Sequence, residues 1–212
     1  MGPNVAATVR LMLVTDDALV AGRDLVALAA AAAHGGATSV QLRLKRASSR
    51  ELADIARTLL AGLSIPLLLN DRADVALAVG AAGVHLGPDD VPVAIVRRIS
   101  PPGFLIGASV GSPREIDTGR GADYWGVGPW ASTTTKGDAG QAIGAEGFQR
   151  VARLAEGKPC IAIGGVKPED VAAVIGAHGA GVAVVSGILS GNDVEAQTRA
   201  YWGALSRLAA SY

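Results

Sequence analysis

With 212 residues, half of them hydrophobic, the chain can bury one sizeable core, and a single domain over 1–212 is the simplest reading. Its 19 basic and 19 acidic residues cancel, which removes any global field for nucleic acid or an anionic membrane and makes any anion site local. One cysteine, Cys160, rules out an intramolecular disulfide and fits a reducing compartment. There is no basic-then-apolar leader and no apolar run of about 20 residues, the length a bilayer demands, so a cytoplasmic protein is expected.

Along the chain two periods alternate. Candidate strands begin at Arg10, Ser39, Pro66, Gly83, Leu105, Asp123, Cys160 and Gly181. Helical segments are expected at 24–33, 49–61, 73–79, 92–99, 113–120, 145–155, 168–177 and 193–210. Ser48 and Glu51 have capping-box spacing, and His34-Gly35-Gly36 and His178-Gly179 read as helix exits. Eight β-then-α units without a low-complexity linker predict a (β/α)₈ TIM barrel, with a doubly wound open sheet as the alternative. The one long irregular stretch is 130–144, a length more often functional than idle.

Side chains alternate faces along a strand, so Gln41, Arg43 and Lys45 share one face while Leu42 and Leu44 take the other. With the leucines packed under helices, the polar three point toward the barrel axis. Burying Arg and Lys there without an anion is costly, which predicts an anion site near the mouth. The competing reading is an edge strand with a solvated polar face.

The stretch from Pro66 to Asp90 carries the second signal. An apolar run ends in Asn70-Asp71, and the next ends in Asp89-Asp90. Acids at the carboxyl ends of buried parallel strands sit where barrel active sites are built. Neighbouring strands lie ~5 Å apart, so Asp71 and Asp90 can share one divalent ion, and Mg²⁺, which takes few carboxylates plus phosphate oxygens, is the natural candidate. Asp71 alone would read as a cap for the helix beginning at Ala73; the second acid pair shifts the balance toward a metal, with one of Asp89 and Asp90 left as a candidate cap.

Gly164-Gly165 after strand seven and Val185-Ser186-Gly187 after strand eight fall where barrels habitually hold phosphate. In the 130–144 loop, Thr133, Thr135 and Lys136 suit a lid over phosphate oxygens, against a plain solvated loop. Blander expectations attach to the remaining residues. His85 reads as a satisfied core or supporting imidazole rather than a metal ligand. His34 and His178 suit helix exits, Tyr201 and Trp202 pack in the last helix, and Cys160 is buried and inert.

In this order Gln41-x-Arg43-x-Lys45, Asn70-Asp71-Arg72, Gly83-Val84-His85-Leu86-Gly87-x-Asp89-Asp90, Gly126-Val127-Gly128-Pro129, Thr133-x-Thr135-Lys136 and Ile163-Gly164-Gly165 resemble the thiamine phosphate synthase family, from about Leu11 to Ile188. The resemblance implies a barrel transferase that joins hydroxymethylpyrimidine diphosphate to thiazole phosphate and releases pyrophosphate. By that likeness Gln41, Arg43, Lys45, Asn70, Ser109 and Lys136 hold the pyrimidine diphosphate, and Asp71 and Asp90 carry Mg²⁺. Thr133, Thr135, Gly165, Val185 and Ser186 hold the thiazole phosphate. Arg43, Lys45 and Lys136, with Mg²⁺, stabilise the charge that grows on pyrophosphate, and no protein nucleophile is needed. Partners are small-molecule substrates, with neither nucleic acid nor membrane. A homodimer is compatible with this reading.

Two positions depart from the family pattern. Leu44 replaces a usually acidic residue, and Gly111 stands where a histidine often follows Ser109 by two residues. The sister group of thiazole tautomerases uses a histidine in this segment and lacks the diphosphate grip, so the Gln-Arg-Lys set favours the synthase. A tautomerase-like isomerase and a non-catalytic phosphate-metabolite sensor stand as alternatives.

Overall fold

A computed structural model describes residues 4–132 and 140–209. Eight parallel strands close into a barrel in sequential order: β1 (Leu11–Val14), β2 (Ser39–Leu42), β3 (Leu67–Asn70), β4 (Gly83–Leu86), β5 (Leu105–Ser109), β6 (Tyr124–Val127), β7 (Cys160–Ile163) and β8 (Gly181–Val184). Pairing of β1 with β8 completes the ring, with Leu11 opposite Val182. Closure excludes the open sheet and bears out the barrel.

Strand alternation divides the core in two. Met12, Val14, Leu68, Leu105, Tyr124, Ile161 and Ala183 fill the inside of the barrel. Their neighbours Leu11, Leu13, Val40, Leu42, Leu67 and Leu69 face outward under the helices, with Leu44 half-buried against the same layer, as expected. Fully burying one such leucine stabilises the fold by about 1.5–3 kcal/mol. Polar residues are thereby left for the inner face at the strands' carboxyl ends.

The helices are α1 (Val5–Thr8), α2 (Asp17–Val20), α3 (Leu25–His34), α4 (Ser49–Gly62), α5 (Ala73–Val79), α6 (Val93–Ile99), α7 (Gly144–Ala152), α8 (Val171–Gly176), α9 (Ser186–Leu189) and α10 (Val194–Ala209), with Val5 of α1 packed against the cluster inside the barrel. The capping box opens α4, with the Glu51 carboxylate accepting from the Ser48 N–H at 2.8 Å. Gly80 ends α5 at φ 71°, a left-handed conformation that glycine adopts without strain. Among the described residues no helix is long and apolar enough to cross a membrane.

One expected helix does not form. Residues 113–120 hold only a 3₁₀ turn, Pro113–Glu115, followed by further turns. The indole N–H of Trp125 donates to the Gly119 carbonyl at 2.9 Å, and a Cβ at Gly119 would stand 2.5 Å from that indole nitrogen. The segment is moulded to a buried tryptophan instead of to its own helical bonds. Conversely α1, α2 and α9, of four residues each, are too short to impose a readable periodicity.

Candidate active site

A cavity of about 550 Å³ opens at the carboxyl ends of the strands. Gln41, Arg43, Lys45, Asn70, Asp71, Asp90, Ser109, Gly165, Val185 and Ser186 all line it. Every site residue expected from the sequence within the described part of the chain is thus brought to one place. Thr133, Thr135 and Lys136 lie outside the described residues. The flanks of their loop are pinned to the barrel: Trp130 N–H donates to Ile163 O at 2.8 Å, and Gly144 N–H to Trp130 O at 3.1 Å.

On the first wall, Gln41 is buried inside the barrel, its amide donating to Met12 Sδ at 3.3 Å. Arg43 continues that face beyond the strand end, its guanidinium 3.1 Å from the Asp16 carboxylate. The next acid, Asp17, accepts from the backbone N–H groups of Lys45 and Arg46 at 2.9 and 3.2 Å. Two adjacent carboxylates after β1 therefore hold the three cationic residues of the β2 end, Arg43 by its side chain and Lys45 and Arg46 by their backbone. Sequence reasoning missed this clasp, because nothing local in Asp16-Asp17 points to partners on the next strand; Asp16 also caps α2 through the Ala18 N–H.

Asp71 and Asp90 meet across adjacent strand ends. Asp71 sits at φ 62°, a left-handed conformation unusual outside glycine, and its N–H donates to His85 O at 2.8 Å. Neither acid caps a helix: Arg72 precedes α5 and Pro92 precedes α6, both without a side-chain cap bond. The Asp90 carboxylate accepts from the Gly87 N–H at 2.6 Å, which closes the β4 turn around it. Burial pushes the Asp71 carboxyl up to about 6, reinforced by hydrogen bonding and charge repulsion from Asp90 and opposed by Lys45 and Arg43. Lys45 Nζ stands 3.8 Å from Asp71 Oδ2. Two carboxylates crowded in this way could hold a cation between them. Among the described residues no group of three or more His, Cys, Asp or Glu forms a closed cage. A two-acid set suits Mg²⁺, which completes its shell with water and phosphate oxygens.

The β7 and β8 ends of the lining are rich in glycine. Gly164 and Gly165 follow β7 at φ 88° and 68°, and a Cβ on Gly165 would stand 2.8 Å from Ser132 O. Ser186 begins α9 directly after Val185. These backbone groups and the serine line the same cavity as the cations of the first wall.

The remaining expectations hold where they are described. His85 is buried, its ring nitrogens 3.0 Å from Tyr124 Oη and Ser109 Oγ. Cys160 is buried, and burial pushes its thiol up to about 12. Tyr201 is buried and donates to Val166 O at 2.9 Å; Trp202 packs over Gly36 with part of its ring exposed. Gly111 lines the cavity with its N–H on Glu115, so no imidazole stands there.

Barrel closure and a polar cavity at the strands' carboxyl ends define a class: a TIM-barrel enzyme acting on small molecules. A family model described as thiamine monophosphate synthase matches residues 11–188, and the chain belongs to that family, whose members catalyse group transfer. It is 48% identical over 194 residues to the thiamine-phosphate synthase of Azorhizobium caulinodans, covering 89% of this chain and 91% of that one. Against the thiamine-phosphate synthase of Xanthobacter autotrophicus it is 49% identical, covering 90% and 92%. The solved thiamine phosphate pyrophosphorylase of Pyrococcus furiosus superposes with a TM-score of 0.85 at 34% identity, covering 97% of this chain and 99% of that one. Phosphoribosyl anthranilate isomerase from Thermotoga maritima, at 17% identity, 93% and 98% coverage and a TM-score of 0.68, shares the fold alone.

Proposed function

We propose that the chain transfers the hydroxymethylpyrimidine group from its diphosphate to thiazole phosphate, forming thiamine phosphate and pyrophosphate. The observation that carries this reading is the placement of Arg43, Lys45 and the Asp71–Asp90 pair in one cavity with Gly164, Gly165 and Ser186. Each substrate brings one phosphorylated end, and the reacting centre lies between them.

Gln41, Asn70 and Ser109 orient the pyrimidine substrate while Arg43 and Lys45 hold its diphosphate. Arg43 supplies a planar fork and Lys45 a point charge. Asp71 and Asp90 would hold Mg²⁺, which would supply positive charge to neutralise the diphosphate. The bond between the methylene carbon and the bridging oxygen breaks, and its electron pair leaves with pyrophosphate. The aminopyrimidine carries the resulting cation until the thiazole nitrogen attacks the same carbon. Gly165, Val185 and Ser186 fix the thiazole phosphate and thereby the angle of attack. Thr133, Thr135 and Lys136, outside the described residues, are assigned to substrate binding by the family resemblance, Lys136 with the diphosphate and the two threonines with the thiazole phosphate. Stabilising charge at a fixed, dry position is the principal means by which such a site lowers the barrier.

Pyrophosphate release assayed with each substrate alone and with both, with and without Mg²⁺, tests the reading. Release that needs all three components is expected. Turnover of a thiazole substrate alone would favour the tautomerase, and binding without turnover would favour a sensor.

A further inference from the structure

Three neighbouring strands place His85 on β4, Gly107 on β5 and Tyr124 on β6 in one row of the register. A Cβ built on Gly107 would stand 2.2 Å from Tyr124 Cζ, so the glycine is what lets the phenol ring lie across the middle strand toward the imidazole. Gly126, the register partner of Ser109, makes room in the same way: its Cβ would come within 2.9 Å of His85 Cε1. The two glycines open a slot through which Tyr124 Oη reaches His85 Nδ1 at 3.0 Å and His85 Nε2 reaches Ser109 Oγ at 3.0 Å. Of the three groups, His85 and Ser109 line the cavity and Tyr124 lies fully buried beneath them.

We propose that Tyr124 and His85 are positioning residues: a one-way hydrogen-bond chain that fixes Ser109 as a donor toward an acceptor atom on the pyrimidine substrate. This rests on the reading that the Ser109 wall takes that substrate. Among the described residues the partner of the Tyr124 hydroxyl is His85, and a buried hydroxyl proton left unpaired costs about 1–3 kcal/mol. Burial, with the charge of Asp123, holds the phenol protonated, so its proton goes to Nδ1. The imidazole then carries its own proton on Nε2 and donates it to Ser109 Oγ. With its oxygen accepting from His85, the serine turns its remaining proton into the cavity. A ring nitrogen or a phosphate oxygen satisfies it; a donor such as an amino group does not.

The chain can be read without turnover. In a ¹⁵N-histidine-labelled His34→Gln/His178→Gln variant, His85 is the one imidazole of the three in the sequence that remains. Neutral imidazole protonated on Nε2 is expected near neutral pH; protonation on Nδ1, or on both nitrogens, overturns the proposal. Tyr124→Phe keeps the ring and removes the hydroxyl. It is expected to lower kcat/KM for the pyrimidine diphosphate by about 2- to 12-fold, the worth of one hydrogen bond, with KM for thiazole phosphate unchanged. In a Ser109→Ala background it should cost nothing further. An equal loss in both backgrounds assigns Tyr124 a merely structural role and overturns the proposal. Loss of affinity for inorganic pyrophosphate in Ser109→Ala would place the acceptor on the phosphate end, and unchanged affinity would place it on the ring. A chain that proved inactive would refute the synthase reading while the NMR result stood.

Discussion

Arg43 donates to Asp16 across 3.1 Å, and each side chain is about 15% exposed, so the cation of the proposed diphosphate grip is already oriented by its own loop neighbour. Asp16→Asn leaves that guanidinium half-paired in a largely buried place. Hydrogen bonds to charged groups contribute about 1.5–3 kcal/mol, so a stability loss of that size is expected in urea denaturation. An unchanged midpoint would mean that water screens the pair.

The second prediction concerns Asp71, whose carboxyl stands at about 6 against an ordinary 3.8. The folded protein binds this proton more tightly than the unfolded chain. The stability it contributes is therefore complete below about pH 4 and lost as pH rises through about 6. Without metal, wild-type stability relative to Asp71→Asn is expected to fall between those values in thermal melts. Bound Mg²⁺ takes the proton's place, so its affinity should weaken as pH drops below about 6. Asp71→Asn and Asp90→Asn should each abolish most turnover with the fold intact. A variant with a near-normal rate and unchanged metal dependence would remove that acid from the site.

The barrel and the polar wall of β2 were legible because both follow from alternation. Leu42 and Leu44 had to face the helices, which sent Gln41, Arg43 and Lys45 the other way. Asp71 and Asp90 were legible as strand-end acids, although Asp71 alone looked like a cap. What escaped were relationships that no local pattern encodes. The Asp16-Asp17 clasp joins residues about 28 apart in sequence. The slot for Tyr124 needs a glycine on a third strand, and the lost helix after Pro113 reflects a tryptophan on the following strand. Leu44 packs outside the barrel as its departure from the family pattern allows.

Gly165 gives a third prediction. Its φ of 68° disfavours any Cβ, and an added one would press on Ser132 O at 2.8 Å. Gly165→Ala should cost about 1–2 kcal/mol in backbone strain and shift the β7 loop. Thiazole phosphate affinity should fall while pyrimidine diphosphate affinity is retained. Equal affinities for thiazole phosphate in variant and wild type, by titration calorimetry, would remove this loop from the phosphate subsite.

The central claim is a cavity divided between two phosphorylated substrates, and Arg43→Ala tests it most directly. Titration calorimetry with each substrate separately, in the presence of Mg²⁺, should show pyrimidine diphosphate binding weakened at least tenfold, because the bidentate fork is lost from one wall, with thiazole phosphate binding unchanged. Equal weakening of both substrates would contradict the division of the cavity.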